Sequence, residues 1–144
     1  MKNAKKALSL VLVIATLFLA LSLTACKEAP LVIKDSDTFI VIKTTEKSLE
    51  GKDGMMLIDY MAELRNDGKL EFAVTDGMVT SINGQANAAD YSICWMLYTS
   101  DADFASSAWG TVEYEGVEYG SAVVGAETLE LKPDQIYIWV FKSF

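Results

Sequence analysis

The run Tyr91–Tyr98, YSICWMLY, constrains this chain more than any other stretch. A segment apolar on both strand faces reads as a strand in the middle of a sheet, buried from both sides. Met78–Ile82 ahead of it is a short β-rich run stopped by Asn83-Gly84, and the polar loop Gln85–Asp90 leads into the central strand.

Around that block the pattern is mostly strand. Asp37–Thr45 is rich in β-branched residues, with Phe39, Val41 and Lys43 on one face and Ile40 and Ile42 on the other. Leu70–Thr75 and Met78–Ile82 flank Asp76-Gly77, and Thr111–Tyr114 and Val117–Tyr119 flank Glu115-Gly116, each a hairpin signal. Gly120–Gly125 is permissive, Lys132-Pro133-Asp134 reads as a turn, and Gln135–Lys142 is a strong closing strand. Ser100–Ala108, small and polar, reads as a loop. One convincing helix, Gly54–Asn66, carries Leu57, Met61 and Leu64 at i, i+4, i+7, so one stripe faces a core. Asp53 is its expected N-cap and Gly68 its αL terminator.

The N-terminus is of another kind. Lys2, Lys5 and Lys6 precede an apolar run from Ala7 to Leu23, which ends in Leu23-Thr24-Ala25-Cys26. This resembles the signal peptide of a bacterial lipoprotein. The resemblance implies cleavage after residue 25, lipidation of Cys26, and residence at the cell membrane on its extracytoplasmic face. As a plain anchor the run would reach ~26 Å against a hydrocarbon core of ~30 Å. Residues 26–36 then read as the lipidated cysteine and a tether, with Leu31–Ile33 alternatively a short edge strand, and residues 37–144 as one domain.

Charge and cysteine count exclude several functions. The net charge of −8 becomes −11 when the three leader lysines leave, which disfavours nucleic acid. With Cys26 taken by lipid, Cys94 has no disulfide partner, and inside an apolar strand it reads as a small buried hydrophobe. The chain has no histidine, which removes Ser-His-Asp triads and the usual zinc sites. Asp101 and Asp103, helped by Asp90, are too few oxygens for calcium, and Glu113, Glu115 and Glu118 read as solvated hairpin acids. No cofactor, metal site or enzymatic activity is expected.

A strand–helix–hairpin start, then Ser81-Ile82-Asn83-Gly84, then Trp95 within its strand, then Asp134 ahead of Ile138-Trp139, resembles the transcobalamin-like C-terminal domain found in bacterial surface lipoproteins. The resemblance covers about Asp37 to Phe144. It implies an α+β fold with a β-grasp-like mixed sheet and one packed helix. The vertebrate relatives close such a domain over one side of cobalamin, with a helical domain, absent here, on the other. This chain has Thr99-Ser100-Asp101 and an insertion carrying Trp109 where the family often turns with Asn-Gly.

The last strand separates its residues by type: Ile136, Ile138 and Val140 on one face, Tyr137, Trp139 and Phe141 on the other. The aliphatic set most simply meets the helix, leaving an aromatic set on the far face. That face is covered by the 99–125 insertion with Trp109 inward, by a flat ligand, or by a protein. If a ligand binds there, the residues expected to hold it are Trp95, Tyr98, Trp109, Tyr137 and Trp139. Trp95 and Tyr98 have opposite strand parity, so both reach one site only if Tyr98 contributes from the strand end. The expectation is a non-enzymatic, membrane-anchored domain binding a small molecule, a corrinoid or other cofactor among the candidates, for a transporter partner. The alternative is a surface adhesion or protein-interaction module.

Overall fold

The computed structural model describes residues 32–144. The leader, Cys26 and the first part of the tether lie outside the described residues. Nine strands and one α-helix follow in chain order: β1 (Val32–Ser36), β2 (Phe39–Lys43), α1 (Leu57–Asn66), β3 (Phe72–Thr75), β4 (Met78–Ile82), β5 (Gln85–Ala86), β6 (Ile93–Thr99), β7 (Ala105–Tyr114), β8 (Val117–Ala122) and β9 (Ile136–Ser143).

The larger sheet has the order β1-β2-β9-β6-β8-β7, and β3-β4-β5 form a second, smaller one. The α+β class stands. Each pairing in both sheets is antiparallel, where the resemblance implied a mixed sheet. Val32–Ser36, read as the end of the tether, pairs with β2 as an edge strand. The β6 strand lies inside the sheet between β9 and β8, with Trp95 and Leu97 buried on one face and Tyr98 on the other.

The helix stripe is as the spacing predicts: Leu57, Tyr60, Met61 and Leu64 are buried. Its start is not. The helix begins at Leu57 after an extended Met56, and no side chain caps it. Its first amide groups are satisfied by a distant segment instead: Leu57 N–H donates to Leu129 O at 2.8 Å and Ile58 N–H to Ala126 O at 3.0 Å. Leu131 N–H returns a bond to Met55 O at 2.9 Å. Orphan helix donors need partners, and backbone carbonyls serve as well as a capping side chain.

The sheet faces are the reverse of the expectation. Tyr137, Trp139 and Phe141 share a core with α1, Ile40, Ile42, Trp95 and Leu97, and with Val79 and Ile82 of the small sheet. Ile138 lies on the far face with Val41, Tyr98 and Tyr119, flanked by Ile136 and Val140. The physical reason is what covers each face: the helix and small sheet cover the face of Tyr137 and Trp139, whereas the far face is closed by the coiling of the sheet itself. In a flat sheet β2 and β7, separated by three strands, would stand ~19 Å apart. Yet the rings of Phe39 and Tyr114 approach to 6.0 Å, and Lys43 Nζ lies 3.2 Å from Glu115. The sheet coils until β2 and the β7–β8 hairpin nearly meet, and the enclosed concave face takes the aliphatic set of β9 together with Tyr98, Tyr114 and Tyr119. The 99–125 insertion thus closes the far face, but through Val112, Tyr114 and Tyr119. Trp109 is not packed inward; it stands 65% exposed. The segment expected to be the loop Ser100–Ala108 enters β7 at Ala105.

Candidate ligand-binding site

The groove begins where β6 and β8 part. They pair only through Tyr98 with Ser121 and Thr99 with Gly120, while β6 pairs with β9 along its whole length. Beyond Ala122 the chain is pulled away: Val123 N–H donates to Phe104 O at 2.9 Å, and the carbonyls of Ala126 and Leu129 are held by the start of α1. The outer edge of β6 is bridged by the small sheet. Asn87 Oδ1 accepts Trp95 N–H at 2.9 Å, while Asn87 Nδ2 donates to Val79 O at 3.3 Å. Trp95 Nε1 donates to Gln85 O at 2.7 Å.

Between these attachments lies a concavity of about 740 Å³. Trp95, Leu97, Trp139 and Val79 form its floor, and residues 122–126 and the turn at Asp76-Gly77 its walls. At the rim stand Met78, Tyr91, Trp109, Val123 and Phe144, all exposed. Most of the domain's exposed large apolar side chains therefore converge on one concavity. Tyr91 is held with φ at 57°, a left-handed conformation that bulky residues rarely adopt. Its N–H donates to Ala88 O at 2.9 Å, which fixes the bend. Strain of this kind persists only where the surroundings impose it.

Of the residues expected to hold a ligand, the structure brings Trp95, Trp109 and Trp139 together in this groove. Trp95 and Trp139 are each 5% exposed, and Trp139 Nε1 is buried without a hydrogen-bond partner among the described residues. Tyr98 and Tyr137 do not line it. Tyr98 belongs to the concave-face core, where its hydroxyl accepts from Lys142 Nζ at 3.3 Å. Tyr137 is fully buried in the helix-side core, and its hydroxyl accepts Lys132 N–H at 3.2 Å. Burial pushes that phenol above its ordinary value.

The sequence reading missed Tyr91, Met78, Val123 and Phe144. A tyrosine directly after a polar loop was the one available signal, and it was absorbed into the central strand. Cys94 also lines the groove, and burial raises its thiol, so it is a poor nucleophile at neutral pH. The Asp101–Asp103 loop is occupied by a lysine: Lys132 Nζ lies 2.9 Å from Asp101 and 2.6 Å from Asp103. Hydrogen bonding to Lys132 lowers the Asp103 carboxyl and, reciprocally, raises Lys132. Asp90 points elsewhere, accepting from Ser92. Among the described residues no cluster of three or more metal-ligating side chains occurs. A second concavity of about 650 Å³ lies at the end of α1, but its lysines are already paired, Lys34 with Asp37 and Lys69 with Asp67.

Compared with models of protein families, with curated proteins and with solved structures, the chain matches none.

Proposed function

We propose that the domain is a non-enzymatic binding module that holds a small molecule with an apolar body in the groove between β6 and residues 122–126. One observation carries this reading: Met78, Tyr91, Trp109, Val123 and Phe144, all exposed, surround a single concavity floored by Trp95 and Trp139. Scattered apolar surface needs no explanation, but apolar surface gathered around a concavity is the usual mark of a ligand site. A volume of about 740 Å³ falls within the range of such sites, ~300–1,000 Å³.

Anchoring at the extracytoplasmic face through lipid on Cys26, and delivery to a transporter, complete the proposal. Both rest on the leader residues and on the resemblance to surface lipoproteins. The same resemblance places corrinoids among the candidate ligands. A β-grasp-like relationship is supported by one helix lying across one sheet face, while the antiparallel pairing throughout gives it no support.

A thermal-shift panel of corrinoids, haem and uncharged polycyclic aromatics on the full chain tests the reading. Ligand at ~100 times its dissociation constant adds ~2.7 kcal/mol of stability. Trp109→Ala is expected to abolish that shift. The exposure of Trp109, a residue type common at interface hot spots, favours protein docking as a second reading. No shift across the panel, with a protein partner captured by the wild type and lost in Trp109→Ala, would replace the first reading by the second.

A further inference from the structure

We propose that the groove selects organic cations: molecules with a flat apolar body and one ammonium or iminium group. The proposal rests on the ligand-groove reading above and deepens it.

The argument is electrostatic. Among the described residues that line the groove, Asp76 is the only one with a charged side chain. Its neighbour Gly77 has φ of 79°, and the carboxylate of Glu127 packs against it, Oε2 lying 2.8 Å from where a Cβ would stand. The bare glycine makes room for that carboxylate. Asp76 and the Glu127 carboxylate thus both stand at this turn of the wall, and among the described residues neither has an ion-pair partner. Both side chains are exposed, and a cation bound beside them is drawn to their charge.

The rim adds a second attraction. Tyr91 and Trp109 line it, and aromatic rings draw cations through their quadrupole. Phe144 already shows this behaviour: Lys142 Nζ lies over its ring at 5.5 Å. Lys142 belongs to the Gly110 and Phe144 side of the groove, and its ammonium also donates to Tyr98. The intrinsic cation therefore sits with the rings, whereas the carboxylates at Gly77 have none. An anionic ligand would meet Asp76 on the wall, and Lys142 beside the rim is already engaged with Phe144 and Tyr98.

Three probes of matched size test the selection by calorimetric titration of the full chain: N-benzylquinolinium, neutral 2-benzylquinoline, and 2-benzylquinoline-4-carboxylate. The quinolinium is expected to bind about tenfold more tightly than the neutral probe, and the carboxylate more weakly than either. Asp76→Asn combined with Glu127→Gln should bring the cation-to-neutral ratio to about one; asparagine suits the same left-handed turn position. With the wild type, raising salt from ~0.01 M to ~1 M shortens the screening length from ~30 Å to ~3 Å and should shrink the same ratio. Equal binding of all three probes, or a ratio indifferent to salt and to the double substitution, would overturn cation selection and leave the groove reading standing. Failure of all three to bind would overturn both.

Discussion

Asn87 and Trp95 tie the two sheets together: the amide oxygen of Asn87 accepts the backbone N–H of Trp95 at 2.9 Å, while the same side chain donates to Val79 O. One side chain thus spans the gap between β4 and the open edge of β6, and it sets how far the groove floor lies from its wall. Replacing it with alanine removes both hydrogen bonds. Asn87→Ala is expected to lower stability by about 1–2 kcal/mol, read as a shifted midpoint in urea at unchanged slope. An unchanged midpoint would mean that water replaces the amide.

The three tryptophans of the groove should separate by role. Trp139→Ala removes a core side chain that is 5% exposed and is expected to cost about 3–5 kcal/mol. Trp109→Ala removes an exposed one and should leave stability within about 0.5 kcal/mol while removing ligand binding. Thermal denaturation of both variants beside the wild type decides this. A folded, stable Trp139→Ala protein would show that the groove floor is not part of the core.

Two glycines should respond differently to alanine for reasons of space. At Gly120 an added Cβ would lie 2.8 Å from Ser106 N and 2.9 Å from Ser106 O, backbone atoms that move only if β7 shifts from β8. At Gly116 nothing stands within 4 Å, and only the left-handed φ of 76° opposes the change. Gly120→Ala is expected to destabilise by roughly 2 kcal/mol and Gly116→Ala by about 1 kcal/mol. Equal midpoints would contradict the close approach of the two strands.

Stability should fall at both ends of the pH scale through one loop. Asp103 titrates below its ordinary 3.8 because of Lys132, so its contribution is present above that value and is lost as pH falls further. Lys132 titrates above its ordinary 10.5, chiefly through its hydrogen bond to Asp103, so its contribution is present below that value and fades as pH rises beyond. Because Asp101 is buried and Asp103 exposed, Lys132→Met should lower the melting temperature more than Asp103→Asn. Melting curves across pH for the two variants provide the check, and the reverse order would sink it.

The local features of this fold were legible in the sequence. Asp76-Gly77 and Glu115-Gly116 turn where expected, each with both residues at positive φ, because few other pairs tolerate that geometry. The alternation of β9 and the stripe of α1 were equally clear, since both follow from fixed periodicities. Which face of β9 meets the helix was not legible: parity sorts residues into two sets without saying which layer covers each. The groove was half legible. Trp95, Trp109 and Trp139 were named, but the parting of β6 from β8 that gathers them arises from the bonds of Val123, Ala126 and Leu129. Those bonds run to residues up to about seventy positions away, beyond any local pattern.

The position of β9 governs when this chain can fold at all. It is the last strand described, yet it lies between β2 and β6, so the sheet has no continuous middle until β9 is in place. Ile40 waits about a hundred positions for Trp139. At synthesis rates of ~5–20 residues per second, the earlier strands spend seconds with their apolar edges unpaired. Nascent chains of this protein are therefore expected to depend on holding factors until β9 has emerged, and those ending before Gln135 to be degraded rather than accumulate as a partial domain.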